Sequence, residues 1–131
     1  MFLVGNKDGT ILFSNDAVTK KLGYTREELK NMHVLELNPK EKREEAEEIF
    51  ADMFQNKRNV CPLPLLKKDG QYLPAETRIW FGDWDGENHL FAIIRDLSSE
   101  QESLQKFTKI LIYQQNFSLH LLKTDLIERS L

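Results

Sequence analysis

The chain holds a single cysteine, Cys61, so no disulfide can form within it. A lone thiol fits a reducing compartment, and the expected location is the cytoplasm. No apolar stretch approaches the roughly 20 residues that a membrane-spanning helix needs. The opening Met1-Phe2-Leu3-Val4-Gly5 lacks a basic leader and a long apolar core, so it is not a signal peptide. It reads as a strand with no lead-in, as expected of a piece of something longer. Net charge is −3, and no segment concentrates basic residues. Nucleic acid and anionic membrane are therefore poor candidate partners. Glycine-rich phosphate loops, Ser-His-Asp sets and paired metal motifs are missing as well.

Three Asp-Gly pairs are present: Asp8-Gly9, Asp69-Gly70 and Asp85-Gly86. Asp-Gly favours tight reversals, because Gly reaches positive φ freely and Asp tolerates it. Each pair lies between strand-like runs, so five strands joined by three hairpins are expected. In the run after Asp69-Gly70, Leu73, Ala75, Thr77, Ile79 and Phe81 share one face and should meet the core. Tyr72, Pro74, Glu76, Arg78 and Trp80 share the other. Pro62 and Pro64 cannot donate ladder hydrogen bonds, which marks the strand around them as an edge or as irregular.

Helical signals fill the gap between the first two hairpins. Asn15 or Asp16 can cap a short helix through Leu22, stopped by Gly23. Thr25-Arg26-Glu27-Glu28 has capping-box spacing. Asn38 is expected to cap the longest internal helix, with Pro39 at its first position. Ala46, Ile49, Phe50, Met53 and Phe54 form its apolar stripe, while Glu41, Glu44, Glu45 and Glu48 face water. The order strand-strand, helices, three strands predicts an α+β fold, an antiparallel sheet with helices on one face. Leu90-Phe91-Ala92-Ile93-Ile94 then runs through Arg95-Asp96-Leu97-Ser98 into a long helix over 98–129, with no glycine between. This divides the chain into a domain over 1–97 and a C-terminal helix over 98–131. Leu104, Phe107, Ile110, Leu111, Phe117, Leu121, Leu122 and Leu126 make that helix too apolar to stand alone in water. It should fold back on the sheet or pair with a second chain. Tyr72 and Trp80, on the non-core face, are further candidates for packing with Leu104, Phe107 and Leu111.

Over roughly residues 1–98 the chain resembles a PAS domain. The resemblance rests on Asp8-Gly9-Thr10-Ile11-Leu12-Phe13-Ser14-Asn15, Leu22-Gly23-Tyr24-Thr25-Arg26-Glu27-Glu28-Leu29, Lys67-Lys68-Asp69-Gly70 leading into Leu73-Pro74-Ala75-Glu76, and Arg95-Asp96-Leu97-Ser98. Ser98 stands where the family usually has Thr. The resemblance implies a five-stranded antiparallel sheet cupping a small cavity beside the long internal helix. It also implies a sensory or dimerisation module of signalling proteins.

No cofactor is expected. Haem-binding members carry a His on the long internal helix, and Pro39 to Gln55 contains none. His33 and His89 lie outside it, without metal-type spacing. Flavin-binding light sensors use an Asn-Cys-Arg-type motif in a short helix, whereas Cys61 begins a strand. The expectation is a non-catalytic sensor, dimeric, whose core around Ile49, Phe50, Met53, Phe54, Cys61, Leu63, Thr77, Ile79, Phe91 and Ile93 takes a small ligand or partner. Arg95, Asp96, Leu97 and Ser98 would relay the change to the helix. Asp96 can act as a simple cap, or as a switch pairing with Arg78 or Arg95 in one state. The alternative is a structural dimerisation module whose aromatic-rich core binds nothing; a small enzyme is the weakest reading. Residues 98–131 carry neither a His-Glu-Leu-Arg phosphoacceptor motif nor a diguanylate cyclase signature, so any effector domain is not visible.

Overall fold

The two longest strands, β6 (Ala75–Trp84) and β7 (Glu87–Asp96), form one hairpin closed by Asp85-Gly86. Both turn residues have positive φ, 59° at Asp85 and 79° at Gly86. That geometry matches the strand twist and fixes a register from Trp84 opposite Glu87 to Ala75 opposite Asp96. The structure, a computed structural model, describes the backbone of residues 1–130 and the side chains of residues 1–120 and 123. Leu121, Leu122 and Leu126 of the expected apolar tail lie outside the described side chains.

The main sheet has five antiparallel strands. Strands β1 (Phe2–Asn6) and β2 (Ile11–Ser14) turn at Asp8-Gly9, and β1 adds to the free side of β7. Strand β3 (Val60–Cys61) lies at the opposite edge, beside β6. Pro62 and Pro64 end β3 after two residues. The chain resumes as β4 (Leu65–Leu66), which pairs with β5 (Tyr72–Leu73) in a separate two-stranded sheet. The Asp69-Gly70 hairpin therefore belongs to this small sheet, and Pro74 divides what reads as one strand from Tyr72 to Phe81.

Helix α1 (Asp16–Leu22) ends at Gly23 in the left-handed region. The short helix α2 (Arg26–Lys30) starts with both hydrogen bonds of the Thr25–Glu28 capping box. The start of the longest internal helix differs from expectation. Pro39 is extended (ψ 146°), a 3-10 turn follows at Lys40–Lys42, and α3 runs Arg43–Phe54. Asn38 does not cap it, because its side-chain amide donates to the Pro64 carbonyl at 3.3 Å. Helix α4 (Ser98–Ser130) follows β7 after the single residue Leu97.

The chain divides into two units, Met1–Ser98 and Ser99–Leu131. The core of the first joins Leu3, Ile11, Val18, Leu22 and Leu29 to Ala46, Ile49 and Met53 of α3 and to Leu90, Ala92 and Ile94 of β7. In the second, the large apolar residues of α4 from Leu104 to Leu119 are exposed.

Leu90 is fully buried and Ile93 is 49% exposed. Leu90→Ala should lower unfolding free energy by about 2–5 kcal/mol. Ile93→Ala should change it by less than about 1 kcal/mol. Urea denaturation of both variants checks this, and comparable losses would contradict the assigned phase of β7.

Candidate ligand cavity and strand-exit clamp

Between the inner face of the sheet and α3 lies a cavity of about 40 Å³. One water occupies about 10–15 Å³ by this measure, so the space matches a few waters or one small molecule. The sheet side consists of Leu3, Cys61, Thr77, Ile79, Ala92 and Ile94, with Leu65 beside them. Helix α3 contributes Ala46, Ile49, Phe50 and Met53. A 3-10 turn at Val34–Leu37 and the following Asn38 complete the wall.

Six of the ten sequence-predicted pocket residues line this cavity: Ile49, Phe50, Met53, Cys61, Thr77 and Ile79. Four do not. Leu63 is buried in the core but away from the cavity wall. Phe54, at the last turn of α3, is 56% exposed and meets Phe81 edge-on at 5.4 Å. Phe91 and Ile93 lie on the opposite face of β7, where Phe91 stacks on Trp80 at 5.7 Å. Residues directly opposite on an antiparallel pair share a face. Ile79 faces Ala92 and Thr77 faces Ile94, so Ala92 and Ile94 line the cavity instead.

Thr77 Oγ1 is buried and has no hydrogen-bond partner. Cys61 sits directly opposite it on β3. Burial pushes the Cys61 thiol up, against smaller opposing effects of the Leu63 amide and Arg58. It is a neutral thiol at physiological pH.

Sequence reasoning weighed His33 only as a metal ligand. Its Nδ1 accepts from the Leu35 amide at 3.1 Å, and its Nε2 lies 2.5 Å from the Asp8 carbonyl oxygen. An accepting Nδ1 places the proton on Nε2, which donates to Asp8. The ring thus ties the β1–β2 turn to the 3-10 turn of the cavity wall, and it meets Phe50 edge-on at 5.8 Å. Gly9 is required there: its φ is +95°, and a Cβ would come within 2.5 Å of His33 Nε2. The His33–Glu36 spacing, a capping box in the structure, was the available sequence signal.

At the strand exit, the Leu97 amide donates to the Pro74 carbonyl at 2.8 Å. Asp96 Oδ1 accepts from the Ser98 amide at 2.9 Å, and Oδ2 accepts from Lys21 Nζ of α1 at 2.6 Å. In this structure Asp96 takes the cap role and makes no pair with Arg78 or Arg95, the partners of the switch reading. Both arginines turn to Glu76, at 3.2 Å and 3.9 Å. They alternate with the cavity-facing residues of their strands and so stand on the outer face. Tyr72 and Trp80 are exposed, as are Leu104, Phe107 and Leu111 of α4. Among the described residues no helix is long and apolar enough to cross a membrane.

A family model described as a PAS domain matches residues 1–99. The chain belongs to the PAS domain family. The PAS domain of a Desulfitobacterium hafniense protein is 49% identical, with a TM-score of 0.67, and the match covers 74% of this chain and 92% of that one. A domain of a sensory box sensor histidine kinase/response regulator from Geobacter sulfurreducens shares the fold at 21% identity and TM-score 0.63, covering 72% and 81%. So does a PAS domain from a two-component sensor histidine kinase, at 19% identity and TM-score 0.59, covering 72% and 82%. No curated protein matches the chain.

The Asp96 carboxyl gives this PAS domain a pH signature. Partial burial raises it, but the Lys21 ammonium and the Ser98 hydroxyl and amide outweigh that and bring it from 3.8 to about 2. A depressed folded value contributes stability that is full above the ordinary range and is lost as pH falls from about 3.8 through about 2. Asp96→Asn should therefore be less stable than the parent above pH 4, with the gap closing towards pH 2. Urea midpoints across that range test it, and a gap independent of pH would contradict the clamp.

Proposed function

We propose that this PAS domain is a non-catalytic sensory module in which occupancy of the cavity biases the β6–β7 hairpin and, through Asp96-Leu97-Ser98, helix α4. The observation that carries the reading is one of connectivity. Thr77 and Ile94, opposite each other on the cavity wall, lie two residues from Ala75 and Asp96, the last pair of the same ladder. A ligand that separates the wall from α3 therefore acts on the strand ends that the Lys21–Asp96 clamp holds. Only a ligand with different affinity for two arrangements of the exit can signal. In this reading the module works in the cytoplasm, where Cys61 stays reduced.

The reading includes a homodimer. Leu104, Phe107 and Leu111 follow one another at three- and four-residue spacing on α4, so they share a helix face. Each is between 45% and 64% exposed. A second copy of α4 is the cover proposed for that face, and Tyr72 and Trp80 offer a second apolar area on the domain. An effector or partner protein would receive the output. A second reading, a structural dimerisation module, is favoured by the small size of the cavity; a core already nearly filled needs no ligand.

Ala92→Leu, which fills the cavity from the sheet side, mimics occupancy. A nitroxide at Gln105→Cys, in a Cys61→Ala background, should report a changed α4-to-α4 distance in this variant. Asp96→Asn should abolish the change. A folded Ala92→Leu protein with unaltered distances would sink the sensory reading and leave the structural one. In sedimentation, the parent should run as a dimer and the triple variant Leu104→Lys, Phe107→Lys, Leu111→Lys as a monomer. A dimeric triple variant would move the interface elsewhere.

A further inference from the structure

The Thr77 hydroxyl is not satisfied from within the sheet. Its neighbours across the ladder are Cys61 on β3 and Ile94 on β7. Its same-face neighbours along β6 are Ala75 and Ile79. None carries an oxygen or nitrogen in its side chain. Threonine is nonetheless 8% exposed, with Oγ1 buried and unpartnered on the wall of the cavity. An unpaired buried hydroxyl is unfavourable, and the cavity is the one direction from which a partner can come.

The wall is mostly apolar, so a water here would have few polar partners. A buried water needs two to four polar contacts. Beyond Thr77, the side chains of the wall offer the Cys61 thiol, a weak donor, and Asn38, one of whose amide hydrogens is already given to the Pro64 carbonyl. No Lys, Arg, His, Asp or Glu lines the space, so an ion would find no counter-charge. The volume of about 40 Å³ limits the occupant to a few heavy atoms.

We propose that the cavity takes a small neutral molecule with a short apolar body and one oxygen, a short-chain ketone, aldehyde or alcohol, bound through a hydrogen bond with the Thr77 hydroxyl. Its apolar body packs on Ile49, Met53, Ile79 and Ala92, and its oxygen meets Thr77 beside the Cys61 thiol. This rests on the reading of the cavity as the sensing site and adds the chemistry it reads.

The test uses the full chain and three probes followed by methyl and amide NMR shifts of cavity-wall residues. Acetone should produce saturable shifts at Thr77, Ile79 and Ala92, and acetate, of similar size but charged, should not. Xenon, purely apolar, should also shift them and so reports the cavity itself. Thr77→Val should weaken acetone binding about five-fold while leaving xenon binding unchanged, and Thr77→Ser should restore acetone binding. Acetate binding as tight as acetone would overturn the proposal. So would acetone binding indifferent to Thr77→Val, or xenon shifts without acetone shifts. Because the readout is binding at the wall, it is independent of α4. Acetone binding with motionless spin labels on α4 would fail the sensory reading and leave the ligand class standing.

Discussion

The register of the β6–β7 hairpin is the constraint on which the other features depend. A two-residue turn with both φ values positive leaves no slack, so every pair from Trp84–Glu87 to Ala75–Asp96 is set once Asp85 and Gly86 are placed. A slip of one residue would exchange the faces of one strand. Ala92 and Ile94 would leave the cavity wall, and Phe91 and Ile93 would enter it. The stacked Trp80–Phe91 pair on the outer face would be broken. Asp96 would no longer stand opposite Ala75, where its carboxylate reaches both Lys21 and the first amide of α4.

The same hairpin explains what could be read from the amino-acid order. Strand β6 alternates cleanly, so its inner face, Ala75, Thr77 and Ile79, is legible from period alone. Strand β7 carries five apolar residues in a row, and both faces look equally suited to the core. Its phase is nevertheless encoded. Counting outward from Asp85-Gly86 brings Ile79 opposite Ala92, which assigns the face that hydropathy alone cannot. Phe54 was misleading for a different reason. It fits the helical stripe but falls in the last turn of α3, where Phe81 of β6 meets it only edge-on and more than half of it is left exposed. Lys21 was not legible as the partner of Asp96, because the two are 75 residues apart and only the packing of α1 brings them together.

The cavity wall is built from two kinds of material. The sheet side is held by a continuous ladder. The opposite side includes a 3-10 turn whose hydrogen bonds are fewer and of poorer geometry. His33 compensates by bonding at both ring nitrogens, to Leu35 within the turn and to Asp8 on the first hairpin. Asn38 adds a second tie, across to Pro64. The ties to Asp8 and Pro64 are long-range contacts made by single side chains, fewer than the bonds of the ladder. A ligand entering a space with one rigid side and one tethered side would displace the tethered side first. In the proposed sensory reading, relief of that displacement passes through the sheet to the β7 exit.

If the domain senses as proposed, size limits how it can work. The best very small ligands gain at most about 1.5 kcal/mol per heavy atom. A molecule of three or four heavy atoms thus supplies at most about 4.5–6 kcal/mol in total, and only the part that differs between two states shifts a population. Moving an equilibrium from 1:99 to 99:1 needs about 5.5 kcal/mol of difference. Since only a fraction of that total can differ between the two states, so small an occupant does not drive a strongly biased switch. It can tip one already close to balance. A single half-exposed lysine on a carboxylate, with one amide cap beside it, is a clamp of suitably modest strength. A fully buried ion pair in its place would lock the exit beyond the reach of any ligand that the cavity can hold.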